Sequence, residues 1–280
     1  MLVNELKSYY QALQLNPQST LAYRRNRLKE ALHIYVLDFL YKHNDFRALI
    51  FYGGTCLRYC FGLPRLSEAL DFEYLDGDFD LRRLEGDMLD YFRVSLGYPE
   101  LSTSVQKFRL YLKFPVLHAL QIATLDQSDY LHVKIEVNST TRLLSSYAVE
   151  IEPIFRIQRT FFIKRYDLPT LMASKICALV NRTWMRHHKE QGVVSDAKGR
   201  DYYDLIWYMH KAIQPRWAFT GFASKETMWS VVGEKVKSVS TRSIENDLVD
   251  FLENPAEARD FATNLKASYD ALYLKHYAVR

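Results

Sequence analysis

The first residues in this chain whose types and order could do chemistry are Gly53, Gly54 and Thr55. Glycine lets backbone N–H groups approach a phosphate closely, and a hydroxyl at a helix start adds a donor where the helix dipole favours an anion. Taken alone, such a tripeptide is an ordinary tight turn. Thirteen residues separate Thr55 from Ala69, which opens ALDFEY. In a strand Ala69, Asp71 and Glu73 would share one face. Glu136, between Ile135 and Val137 in VKIEVN, is the acidic residue best placed to join them; a surface-facing residue salt-bridged to Lys134 is the equal alternative. Lys175 sits in the apolar run MASKICAL, where a lysine that does not snorkel to the surface needs an anion. Arg200, Asp201 and Asp204 lie close together further on, and residues three apart are neighbours on a helix face. Asp201 reads equally as a first-turn charge complementing the helix dipole. Arg58 and Arg65 could contact a polyanion, though such residues are more often surface arginines.

Other chemistries lack the residues they need. His187 and His188 have no Cys or acidic partner at ligand spacing, no G-x-S-x-G elbow places a nucleophile, and no GxxxxGK[ST] loop is present. Three cysteines, Cys56, Cys60 and Cys177, are odd in number and without CxxC spacing, which argues against a disulfide scaffold or a zinc site. No apolar run approaches the roughly 18 residues of a membrane span, and neither signal peptide nor anchor is expected; the expected location is a reducing cytoplasm. A formal charge of +4 permits a polyanionic partner without singling one out.

Which elements would position these residues? Residues 21–45 place Leu28, Leu32, Tyr35 and Phe39 at 4-3-4 spacing, so the first 46 residues read as helical. ALIFYGG reads as a buried strand entering a glycine turn, followed by a helix over TCLRYCFG with Thr55 as its cap. ALDFEYL (69–75) is a second strand, and residues 80–97 form a helix closed by Gly97. Three further strands are predicted over 105–114, 130–138 and 147–155, so a mixed sheet occupies the middle of the chain. From Leu168 onward the pattern is helical, interrupted by a long polar loop over 187–199.

Three segments in this order, GGTCLRYCFGLPRLSEALDF, LPTLMASKICALVNR and KGRDYYDLIW, resemble the AbiEii/AbiGii toxin family of bacterial type IV toxin–antitoxin and abortive-infection systems. The family has a glycine pair with a hydroxyl residue, an arginine and an S-x-D-L-D-F segment, then a lysine helix and an arginine–aspartate helix. The resemblance spans about residues 47 to 210. It implies an α+β fold with a nucleotidyltransferase-like mixed β-sheet core and helical N-terminal and C-terminal parts, divided into 1–160 and a helical 161–280 that completes the active site. The implied reaction moves a nucleotide from an NTP to an RNA acceptor, such as a tRNA 3′ end, with Mg2+ or Mn2+, and the implied partner is a cognate antitoxin. Carried over residue by residue, Gly53, Gly54, Thr55, Arg58, Arg65, Ser67 and Lys175 would hold the nucleotide. Asp71 and Glu136 would hold metal, and Asp71, Lys175 and Asp204 would serve catalysis. Gly53, Gly54, Thr55, Asp71, Lys175 and Asp204 would converge on one cleft.

One departure matters. The family has aspartate where this chain has Ala69, a position whose carboxylate would share the metal with Asp71. The chain as written is therefore expected to be inactive, as a natural degenerate member or an engineered inactivated form; the intact remaining motifs favour the second. Two alternatives stay open: a catalytically dead protein that binds nucleic acid or antitoxin, and transfer to a protein hydroxyl or a small molecule.

Overall fold

A computed structural model describes residues 2–13, 18–75, 79–139, 148–182, 186–188, 192–195 and 197–278. The chain divides into two compact units, Met1–Tyr166 and Asp167–Arg280.

The first unit begins with helices α1 (Leu2–Leu13) and α2 (Leu21–Lys42). Thr20 caps α2 by accepting from the Tyr23 amide at 3.0 Å. The strands are β1 (Ile50–Tyr52), β2 (Ala69–Tyr74), β3 (Ser102–Gln106), β4 (Arg109–Pro115), β5 (Tyr130–Ser139), β6 (Val149–Arg156) and β7 (Arg159–Tyr166). They form one sheet in the order β3-β4-β5-β2-β1-β7-β6. The sheet is mixed, because β2 runs parallel to β5 and β1 parallel to β7 while the other neighbours are antiparallel. Alternation sets its two faces: Leu70 and Phe72 are fully buried, whereas Ala69, Asp71 and Glu73 are only partly so. Phe51 stacks on Phe72, and α2 packs across β5 and β7. Helix α3 (Gly53–Phe61) follows β1 directly, and α4 (Leu81–Asp90) continues into a π-helical turn over Tyr91–Ser95.

Two strand expectations need correction. The single strand over 105–114 is a hairpin, β3 and β4, whose turn puts Lys107 in the left-handed region at φ 53°. Alternation continues through both arms, so periodicity could not reveal the break. Strand β7 was not anticipated; RTFFIKRY returns from β6 through a turn with Ile157 and Gln158 at φ 49° and 55°. Non-glycine residues in such turns give no sequence signal.

In the second unit α5 (Leu168–Asn181) is capped by Asp167, which accepts from the Thr170 amide at 2.9 Å. Helices α6 (Gly199–His210), α7 (Lys225–Ser238), α8 (Thr241–Leu248) and α9 (Pro255–His276) follow, with a 3-10 turn at Trp217–Thr220. Instead of a polar loop through 187–199, strands β8 (Arg186–His188) and β9 (Gly192–Ser195) pair antiparallel, while 189–191 and 196 lie outside the described residues. Among the described residues no helix is long and apolar enough to cross a membrane.

Candidate functional site

The glycine pair is the first turn of α3 itself, not a turn before it. Gly53 has φ 78°, a conformation that L side chains rarely adopt. A Cβ there would lie 2.5 Å from Asp71 Oδ2. The register explains the closeness, since Asp71 pairs with Tyr52, the residue before the glycines. A Cβ on Gly54 would meet Arg65 Nη2 at 2.8 Å and Ser67 Oγ at 3.0 Å. Two glycines therefore let the start of α3 fit between a strand carboxylate and a buried guanidinium. Arg65 is anchored there, donating from Nη1 to the Leu66 carbonyl at 2.6 Å.

Thr55 does not cap the helix. The N-cap position is Tyr52, whose side chain makes no capping bond, and the buried Thr55 hydroxyl donates to the main-chain carbonyl of Ala69. It fastens α3 to the first residue of β2. Arg58 is turned to α2: Nε meets Glu30 Oε1 at 2.7 Å, and Nη1 donates to the Leu63 and Pro64 carbonyls at 3.1 and 2.6 Å. These bonds brace α3 against α2 and the following loop.

On the open face of the sheet Asp71 pairs in register with Glu136, and Ala69 with Lys134. Glu136 is neutralised twice, by Lys134 Nζ at 2.5 Å and Arg109 Nε at 3.2 Å. Glu73 accepts from the Tyr166 hydroxyl at 2.5 Å, and Asn138 donates to the Tyr52 hydroxyl at 3.0 Å. Burial first, then the charges of Asp71 and Glu73, push the Tyr52 hydroxyl well above the ordinary tyrosine range, so it stays protonated. The first unit thus gathers Gly53, Gly54, Thr55, Arg65, Ser67, Ala69, Asp71 and Glu136 around one helix start and one strand pair.

The second unit carries the remaining residues. Lys175 Nζ lies 2.9 Å from Asp201 Oδ1 and 2.8 Å from Asp204 Oδ2, and both carboxylates are almost wholly buried. The anions that this lysine needs are therefore supplied by α6. Asp201 also takes Arg182 Nη1 at 2.5 Å. Burial alone would raise the Asp201 carboxyl, but Lys175, Lys198 and Arg182 together hold it well below the usual carboxylate range. Arg200 is bound elsewhere: Nε is 3.2 Å from Asp247 Oδ2, and the guanidinium lies 3.9 Å from the Phe251 ring centroid. Arg182 and Lys198 went unremarked in the sequence. Arg182 falls seven residues after Lys175, a helical spacing that could have found it.

A mixed sheet whose strand carboxylate rests against a glycine-led helix places the chain in the nucleotidyltransferase fold class. The fold is similar to that of "MenT4, nucleotidyltransferase toxin Rv2826c from Mycobacterium tuberculosis H37Rv", with TM-score 0.55 at 13% identity, covering 94% of this chain and 89% of that one. It is also similar to JHP933 from Helicobacter pylori, with TM-score 0.50 at 16% identity, covering 89% and 92%. No curated protein matches the sequence. The family model "Nucleotidyl transferase AbiEii toxin, Type IV TA system" matches residues 36–274, and the chain belongs to that family.

Nucleotidyl transfer in such folds generally employs divalent ions held by carboxylates. Among the described residues no group of three or more His, Cys, Asp or Glu is gathered to hold one. Ala69 offers no side-chain oxygen and Glu136 is committed to two cations, so the residues present do not fit a two-ion centre.

Proposed function

We propose that this chain is the framework of a toxin nucleotidyltransferase that joins a nucleotide from an NTP to an RNA hydroxyl, such as a tRNA 3′ end, and that alanine at position 69 silences it. The observation that carries the reading is the start of α3 held against Asp71, with Gly53 in a conformation that L side chains rarely adopt and the Asp71 carboxylate 2.5 Å from where its Cβ would stand. Backbone N–H groups at a helix start, beside Arg65 and Ser67, suit a phosphate chain. In the transfer the acceptor oxygen attacks the α-phosphorus, the bond from that phosphorus to the bridging oxygen breaks, and pyrophosphate leaves. Lys175, oriented by Asp201 and Asp204, serves in this reading as a triphosphate cation. A cognate antitoxin restrains the active form.

The neutralised state of Glu136 favours one second reading, a protein that binds nucleic acid or antitoxin without turnover. Labelled NTPs, total RNA and Mg2+ or Mn2+ separate the two. Ala69→Asp is expected to label RNA only with metal present, and the chain as written to label none. Equal activity in both forms would mean that position 69 has no part in the site. No label from either form, with every NTP, moves the reading to the binding protein or to a non-RNA acceptor.

A further inference from the structure

Within Asp167–Arg280 positive charge exceeds negative in one small region. Lys175, Arg182 and Lys198 surround the buried carboxylates of Asp201 and Asp204, and Lys235 of α7 lines the same space; among the described residues four cations meet two anions there, which leaves two in excess. Arg200 does not add to the excess, because Asp247 neutralises it. Both oxygens of Asp201 are already engaged, Oδ1 by Lys175 and Oδ2 by Arg182.

Beside this cluster lies a cavity of about 70 Å³ lined by Arg182, Lys198, Asp201 and Lys235 together with Leu179 and Tyr202. A single water needs roughly 10–15 Å³ measured in this way, so there is room for a group several times larger. The start of α6, at Lys198 and Asp201, and the end of α5, at Leu179 and Arg182, both line the cavity, so their dipoles oppose and the side-chain cations set its potential. Burial first, then Arg200, Arg182 and Lys175, push the Lys198 ammonium down to about 8, with Asp201 opposing. A lysine kept where its charge is disfavoured gains when an anion arrives.

We propose that this cavity is a phosphate subsite, taking one phosphoryl group between Arg182, Lys198 and Lys235. The proposal rests on the nucleotidyl-transfer reading only for the origin of that phosphoryl group, an NTP or a nucleic-acid backbone. Asp201 faces the cavity with its charge already spent, so it orients Arg182 without repelling the ligand.

The test titrates inorganic pyrophosphate into the full chain as written by calorimetry at low salt, with sodium chloride at matched ionic strength as the control. Pyrophosphate is expected to bind and raise the Tm, and chloride to do neither. Lys198→Met and Lys235→Met are each expected to weaken binding about tenfold or more, the usual worth of a charge-assisted hydrogen bond. Lys198→Arg keeps the charge and should keep the binding, which separates a lost ligand contact from a lost fold. At pH 8 binding should take up part of a proton as Lys198 is charged, seen as heat that varies with buffer ionisation enthalpy. An NTP and a single-stranded RNA with a 5′-hydroxyl, run in parallel, identify the source as whichever loses affinity in Lys198→Met. Pyrophosphate that fails to bind, or that binds folded Lys198→Met and Lys235→Met as well as the parent, overturns the subsite. Neither result depends on transfer by Ala69→Asp, so the two readings fail separately.

Discussion

Replacing Gly53 by alanine tests the geometry on which the functional reading stands. Two costs arise. The left-handed conformation at φ 78° costs an L residue about 1–2 kcal/mol. The added Cβ, 2.5 Å from Asp71 Oδ2, also forces the carboxylate or the helix to move, an overpacking cost of about 1–3 kcal/mol. Gly53→Ala should therefore destabilise the first unit by about 2–5 kcal/mol. In a unit of this size each kcal/mol lowers Tm by about 2–4 °C, so a fall on the order of 4–20 °C is expected. The two costs separate in a double-mutant cycle with Asp71→Ala, measured by urea unfolding of the full chain. Removing the carboxylate relieves the clash but leaves the backbone strain, so Gly53→Ala should cost only about 1–2 kcal/mol in that background. An equal cost in both backgrounds would show that the carboxylate does not rest on the glycine. A cost below about 0.5 kcal/mol in the parent would refute the left-handed start of α3.

Three further outcomes follow from buried groups. Gly199→Ala would bring a Cβ to 2.6 Å from the Ile244 carbonyl oxygen, forcing α6 and α8 apart, and should cost about 1–3 kcal/mol in the second unit by urea unfolding. Lys175→Met leaves two buried carboxylates short of their shared cation and should cost about 3–5 kcal/mol; Lys175→Met with Asp204→Asn should recover part of that loss. His33, fully buried in α2, is pushed down to about 3 by burial first and by Lys29. The folded state then binds fewer protons than the unfolded one between about pH 3 and the ordinary histidine value near 6.5, so the neutral histidine's contribution is complete above that value and fades as pH falls. Between pH 7 and 5 the parent should lose about 2 kcal/mol more than His33→Gln, read from urea midpoints at both pH values.

The segments that carry chemistry were legible because their signals are local. Glycines before a helix, alternation in ALDFEY and a lysine in an apolar helical run can each be read within ten residues. The mixed sheet and its helical flanks followed from the same patterns. By themselves the residues determined that Gly53 to Thr55 and Asp71 occupy neighbouring strand and helix segments; that an aspartate is missing at 69 came from the family resemblance. Non-local pairing was not readable. Only the tertiary structure decided that Arg58 braces Glu30, that Thr55 bonds the Ala69 carbonyl, and that Glu136 is shared by Lys134 and Arg109. Strand order places Ala69 beside Lys134 and Asp71 beside Glu136, although more than sixty residues separate each pair in the chain. Register and burial, which depend on the whole sheet, decide which charges meet, and periodicity names only the face on which each charge stands.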